Sequence, residues 1–215
     1  MLPPTGRPLY WASSALLEAD CFEFFGGTVD AHHLICEAPG DDAFDWDLGY
    51  TGRLQFLLAL GGEGHGIEGD NDPAGSRRTP ISAPQIYNAT LCAGAVAGER
   101  VGALVRGGSS GTLGNLVVAG FAAGVELRDA DTQLGLYGAL AVDLAGPASR
   151  GTIAVERVRA GSGAVGCDGV GPASELVREG VAPPEDGFFD ASAGYLGALR
   201  DVSDRWARAG WTRWD

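Results

Sequence analysis

Three short segments of the chain repeat in step: "CFEFF" from Cys21, "AFDWD" from Ala43 and "GIEGD" from Gly66. Aligned, Phe22, Phe44 and Ile67 share a column at spacings of 22 and 23 residues, and Glu23, Asp45 and Glu68 share the next. Further on, "GALVR" (Gly102–Arg106) and "GVELR" (Gly124–Arg128) repeat at a spacing of 22. The interval from Ile67 to Ala103 is longer, 36 residues, and holds "DNDPAGSRRTPISAP" (Asp70–Pro84), a Pro, Gly and Ser cluster that reads as an inserted loop. Each repeat also holds a second apolar stretch: "TVDAHHLIC", "RLQFLLAL", "PQIYNATLC" and "GNLVVAGF". Two or three short strands and glycine turns in about 22 residues are the mark of a solenoid. The expected fold is all-β, a right-handed parallel β-helix. A leucine-rich repeat is the main competitor, but the columns do not keep Leu.

Strand parity supports the coils. Side chains alternate between faces along a strand. In "AFDWDL" Phe44, Trp46 and Leu48 take one face and Asp45 and Asp47 the other. In "CFEFF" Phe22 and Phe24 oppose Glu23, and in "GVELR" Val125 and Leu127 oppose Glu126 and Arg128. Each aligned segment thus offers one apolar parity to a common interior. Helical spacing shows only in "YLGALRDVSDRWARAGW" (Tyr195–Trp211), read as a short helix or an extended tail that caps the last coil. The expected organisation is coils over 1–160, a Gly/Pro-rich connector over 161–187 and the tail over 188–215.

Composition narrows the chemistry. Thirty-five glycines suit many tight turns. A formal net charge of −13 repels phosphate backbones, so nucleic acid is not an expected partner. All fifteen basic residues are Arg. That removes the P-loop, the Schiff base and the lysine general base, and "GGSSGTLGN" (Gly107–Asn115) is accordingly a turn. No apolar run is long enough to span a bilayer, and the proline-rich start is not a signal peptide.

"DCFEFFGGTVDAHHLIC", "GDDAFDWDLGYTGRLQF", "GIEGDND", "PQIYNATLC" and "GFFDASAGYLGALRDVSDRWARAGWTRW" resemble, in chain order, a group of secreted proteins and lipoproteins of Gram-negative bacteria, myxobacteria and Bacteroidetes among them. The resemblance covers roughly Asp20–Val125 and Gly187–Trp214. It implies a pectin-lyase-like β-helix and an extracellular or outer-membrane-surface location. Such proteins carry an export or lipoprotein signal and further coils before the "DCFEFFGGT" segment. A truncated or a diverged start is therefore expected, with the first coil presenting an open edge that invites self-association unless Met1–Ala19 covers it. The group brings no catalytic residues that carry over.

The acidic columns are the leading site candidates. Glu23, Asp45 and Glu68 stack about 4.8 Å apart in register, and each like-charge pair costs about 1 kcal/mol even in water. The next column runs Phe25, Asp47, Asp70, Arg106, Arg128, so arginines relieve part of the repulsion. Ca²⁺ would relieve more, held by Asp45, Asp47, Glu68, Asp70 and Glu23, with Asp41, Asp42, Asn71 and Asp72 within reach. A solvated acidic ridge that keeps the β surface soluble ranks first, a structural Ca²⁺ site second and a catalytic one last. A lyase would need Arg53, Arg77, Arg78, Arg106 or Arg128 as base, against the guanidinium's reluctance to deprotonate. A hydrolase would pair Asp45 with Asp47, or Asp47 with Asp70.

The remaining candidates are weaker. Adjacent His32 and His33 should point to opposite faces and cannot share an ion. Asn88 of "NAT" is a ladder or turn residue rather than a glycan acceptor. Tyr50, Trp46, Phe56 and Tyr87 are conceivable sugar platforms, although Trp46 and Phe56 have core parity. Trp206, Trp211 and Trp214 should anchor the tail over the last coil. Arg77–Arg78 is a basic spot for an acidic partner or a solvated loop tip. Cys21, Cys36, Cys92 and Cys167 are expected as buried free thiols, with Cys21–Cys36 feasible only if the turn folds them together. The functional expectation is a non-catalytic module for scaffolding or recognition, with a polysaccharide or other cell-envelope component as partner. The alternative is an extracellular polysaccharide lyase or glycoside hydrolase.

Overall fold

The structure, a computed structural model, describes residues 9–15, 18–72, 74, 78–94, 98–142, 144, 147, 149–150, 154–155, 158–161, 179–201 and 203–208. Two parallel sheets take alternate strands of the chain. Sheet A stacks β1 (Leu9–Ala15), β3 (Ala31–Glu37), β5 (Arg53–Leu60), β7 (Gln85–Cys92), β9 (Thr112–Ala119) and β11 (Gly135–Val142). Both β13 (Ala154–Val155) and β14 (Val158–Gly161) then pair with β11. Sheet B stacks β2 (Phe22–Phe25), β4 (Phe44–Asp47), β6 (Ile67–Gly69), β8 (Val101–Val105), β10 (Ala123–Leu127) and β12 (Ser149–Arg150). One strand per sheet per turn is the parallel β-helix expected from the repeat.

The expected columns are hydrogen-bonded neighbours. Phe22 pairs with Phe44 and Phe44 with Ile67, and Ile67 pairs with Ala103 across the inserted loop. Ala103 pairs with Val125, as the spacing of the later repeats required. The inward parity of both sheets forms one continuous core, including Phe44, Trp46, Ile67, Leu34, Leu57, Leu91 and Val125. The indole of Trp46 lies where a Cβ on Gly69, its partner one turn on, would come within 2.0 Å of the ring. Only glycine leaves that space. The indole Nε1–H donates to Ser109 Oγ at 2.9 Å. Leu48 leaves the expected parity. Its left-handed φ of 51° turns the chain out of β4, and the side chain is 37% exposed.

Sheet A departs from simple alternation at one stacked position. His33, Phe56, Asn88, Asn115 and Gly138 all have φ between 58° and 78° and lie in register. A left-handed residue bends the strand and places two consecutive side chains on the same side. Ala31 and Leu34 point into the core while His32 and His33 between them do not. The same holds for Gln55–Phe56 and Tyr87–Asn88, so Phe56 is buried outside the coil interior despite its core parity.

The C-terminal segment covers this outer side. Asn88 Nδ2 donates to the carbonyls of Ala193 at 3.0 Å and Tyr195 at 2.7 Å. Asn115 bonds the backbone of Val181 in both directions at 2.8 Å. Gln55 does the same with Asp190, at 3.2 and 2.8 Å. Apolar contacts complete the seam, with Ile35 and Leu58 of sheet A packed on Ala198, Leu199 and Ala207. The described part of the tail contains no α-helix; a single 3₁₀ turn spans Trp206–Arg208. Trp206 packs against His33 of an early coil at 4.8 Å between ring centroids, not over the last coil. The tail follows the row of amides along the sheet, which is why it runs beside the solenoid. Trp211, Trp214, Arg77, Cys167 and most of the Gly161–Gly187 connector (162–178) lie outside the described residues.

Three cysteines correct the free-thiol expectation. Cys21 and Cys36 form a disulfide with Cα atoms 5.8 Å apart. Fifteen residues carry the chain through β2 and β3 and back across the coil, so the ends of that path face each other. Cys92 is disulfide-bonded as well.

A carboxylate face on sheet B

The outward register of sheet B reads Glu23, Asp45, Glu68, Leu104, Glu126, Arg150. The acids are layered as the repeat predicted, with two apolar or basic rungs among them. The chain passing from β3 to β4 adds Asp41 and Asp42 at one margin, and Asp20 just before β2 adds a third. Asp20 Oδ1 accepts the amide N–H of Asp42 at 2.7 Å, and Asp42 in turn accepts the amide of His65. These bonds lock successive turns together and aim the carboxyl groups at one another.

Two sets of carboxylates converge. One oxygen each from Asp20, Glu23 and Asp45 lie within 4.8 Å of one another, and so do oxygens of Asp20, Asp41 and Asp42. Among the described residues, Asp45 Oδ1 is buried and has no hydrogen-bond partner. Burial, followed by the nearby charges of Glu68 and Asp20, pushes the Asp45 carboxyl up to about 8. Burial also raises Asp42, which hydrogen-bonds the Glu68 side chain. Burial and then Asp20, Asp47 and Asp41 raise Glu23. An unbonded buried oxygen among carboxyls that resist ionisation fits a hard cation.

The other residues of the expected cation set are engaged elsewhere. Arg106 binds Asp70 at 2.8 Å and Glu68 at 3.1 Å. Asp47 Oδ1 accepts the amide of Leu48 at 2.5 Å, and burial, then Asp70 and Asp72, raise its pKa. Asn71 holds the inserted loop, accepting from the Ser82 amide at 2.7 Å and donating to the Arg78 carbonyl at 3.0 Å. Asp72 faces Arg78 at 3.4 Å. Glu126 is bound by Arg128 at 2.5 Å and Arg150 at 3.2 Å, which hold it below its ordinary range although burial acts the other way. The stripe therefore divides into a cation-poor end at Asp20, Glu23, Asp41, Asp42 and Asp45, and a remainder in which Glu68, Asp70, Asp72 and Glu126 each meet an arginine. Asp20 was missed in the sequence because it precedes the aligned segment and joins the stripe only through its neighbours a turn away.

The other candidates resolve as structure. Tyr50 is fully buried, with its hydroxyl donating to the Val29 carbonyl at 2.7 Å and its ring stacked on Phe24 at 4.7 Å. Tyr87 packs on Phe189 at 5.0 Å. Asn88 is fully buried, which removes it as a glycan acceptor. Arg53 is tied to Asp30 and to Asp186 of the tail. His65 Nδ1 accepts the Val101 amide at 2.9 Å. The two adjacent histidines overturn the opposite-face expectation: their Nδ1 atoms are 2.5 Å apart, because the left-handed bend at His33 brings both rings to one side.

Residues 15–151 match the family model described as a pectate-lyase like beta helix domain. No curated protein and no solved structure matches the chain.

Proposed function

Because the chain belongs to the pectate-lyase-like β-helix domain family, we propose that it is an extracellular or surface-attached, non-catalytic β-helix module. It recognises a polysaccharide or another cell-envelope component through the outer face of sheet B, with Ca²⁺ held at Asp20, Glu23 and Asp45. The observation that carries this reading is the buried, unbonded Asp45 Oδ1 within 4.8 Å of carboxylate oxygens of Asp20 and Glu23. A bound cation would neutralise the cluster and offer open coordination positions to sugar hydroxyls or carboxylates. The described arginines on this face, Arg106, Arg128 and Arg150, are each held by carboxylates, a poor starting point for a lyase base. The Cys21–Cys36 disulfide supports an oxidising compartment.

One observation favours a second reading. A carboxyl titrating near 8 with acids beside it is the profile of a general acid, so a hydrolase centred on Asp45 is the alternative. Calorimetric titration with CaCl₂, then with polyuronates and neutral polysaccharides on the Ca²⁺-loaded protein, tests both. The module reading expects heat of Ca²⁺ binding that disappears in Asp45→Asn, and glycan binding without chain cleavage. Release of new reducing ends that Asp45→Asn abolishes would establish the hydrolase instead. No heat with either ligand class would end the recognition reading on this face.

A further inference from the structure

Two kinds of contact hold the C-terminal tail on sheet A. One kind does not titrate. Gln55, Asn88 and Asn115 bond tail peptide groups through their side-chain amides. Thr90 Oγ1 accepts the Ala198 amide at 2.9 Å, and the Asn115 carbonyl accepts that of Gly197 at 2.8 Å. The other kind is a cluster around two imidazoles. The His33 ring lies 4.7 Å from Phe56 of the coil and 4.8 Å from Trp206 of the tail. The His32 ring lies 5.8 Å from Phe188 of the tail. Both histidines line a cavity of about 530 Å³ that opens between the bend of sheet A and the tail. It gives water and protons a route to the pair while the tail is in place.

The pair has room for one proton between its rings. The two Nδ1 atoms are 2.5 Å apart, so in the neutral pair one donates and the other accepts. When both imidazoles are charged both nitrogens carry hydrogen, and the rings must part. The aromatic packing on His33 also replaces the water that would solvate a charge. Burial and then His32 push His33 down to about 4, although Asp190 acts the other way. Burial lowers His32 as well. The tail brings Asp190, Asp201, Asp204 and Arg200 to the same cavity. From β5, Arg53 lies over Phe188 at 4.8 Å and is held by Asp30 and Asp186. On the other side β1, with the sequence LYWASSA, carries no group that titrates between about pH 4 and pH 8.

We propose that the C-terminal tail is an acid-released strap, held on sheet A at neutral pH and let go when His32 and His33 take up protons. Release uncovers the amide row of Gln55, Asn88 and Asn115 together with Ile35 and Leu58. A histidine held below its ordinary value of 6.5 favours docking above that value, and the contribution is lost as pH falls toward 4. For His33 alone the docking equilibrium weakens about thirtyfold between pH 7.5 and pH 5. His32 adds in the same direction. The coil has the opposite slope, because Asp42 and Asp45 are raised carboxyls that favour the folded coil as pH falls. Acid therefore loosens the strap and not the coil. The strap lies on sheet A and does not depend on the function proposed for sheet B.

Hydrogen exchange of the full chain, read by mass spectrometry at pH 7.5 and pH 5 and corrected for the intrinsic rate at each pH, tests this. Peptides holding Val181, Asp190, Gly197 and Ala198 report the strap. Peptides from β4, β6 and β8 report the coil. Strap protection should fall about thirtyfold or more at pH 5, while coil protection holds or rises. His33→Asn installs the residue that already serves in the same left-handed conformation at Asn88 and Asn115. Whatever its protection at pH 7.5, its fall toward pH 5 should be several-fold smaller than the parent's. Strap protection that is unchanged or rises in acid overturns the proposal. So does loss of protection by strap and coil together, or a fall of the parent's full size in His33→Asn.

Discussion

Asp45 and Asp42 are carboxyls that the folded chain keeps protonated well above their ordinary range, because burial removes the water that would stabilise the charge. The sign of the consequence follows from proton counting. Between about pH 4 and pH 8 the folded state holds a proton on Asp45 that the unfolded state has released, so stability falls as pH rises through that window. The expected slope is at most about 1.4 kcal/mol per pH unit for each such group. Thermal unfolding in the presence of chelator should show the midpoint dropping from pH 4 to pH 8 and levelling above. Asp45→Asn should flatten the drop, and saturating Ca²⁺ should do the same in the parent if the cluster binds it. A second residue-scale prediction concerns Gly69. A methyl group there enters the Trp46 ring, so Gly69→Ala should lower stability by about 1–3 kcal/mol in urea titration. The aspartate stripe was legible from the period alone. The protonation of its members was not, since it depends on charges a full turn away and on how deeply each oxygen is covered.

At the scale of elements, the sheet A strands read as unbroken apolar runs because both of their faces are buried, one by the core and one by the tail. Alternation correctly assigned the sheet B strands, whose outer face carries the acids. It failed at His33 and Phe56, where the stacked left-handed residue resets the parity. Asn88 and Asn115 suit that conformation, and their freed side-chain amides hold the tail. Asn115→Gly keeps the backbone geometry and deletes the amide. It should cost about 1–3 kcal/mol by leaving the Val181 amide and carbonyl without their partner. Limited proteolysis should release the tail earlier than in the parent while the coil fragment persists. Nothing in the sequence marks the docking partners, because they are backbone carbonyls and amides that every residue carries.

At the scale of the whole molecule, the coil is stabilised along its axis by register and across it by the Cys21–Cys36 link. Closing a loop of that length is worth about 3 kcal/mol through the unfolded chain. The paired variant Cys21→Ser, Cys36→Ser should therefore shift the urea midpoint by roughly that stability, and the parent under strong reductant should move the same way. The sequence by itself determined the solenoid, its period, the interior columns of Phe22, Phe44 and Ile67, and the acidic stripe. Parallel stacking makes residues one turn apart vertical neighbours, so periodicity and parity carry that information directly. Only the tertiary structure decided the disulfide, the addition of Asp20 to the carboxylates, the shared side of His32 and His33, and the path of the tail with the cavity beneath it. Each of these depends on where a turn closes, where a backbone bends to positive φ, or which peptide group meets which side chain. Those distances are set by the closure of the whole coil and leave no period in the chain.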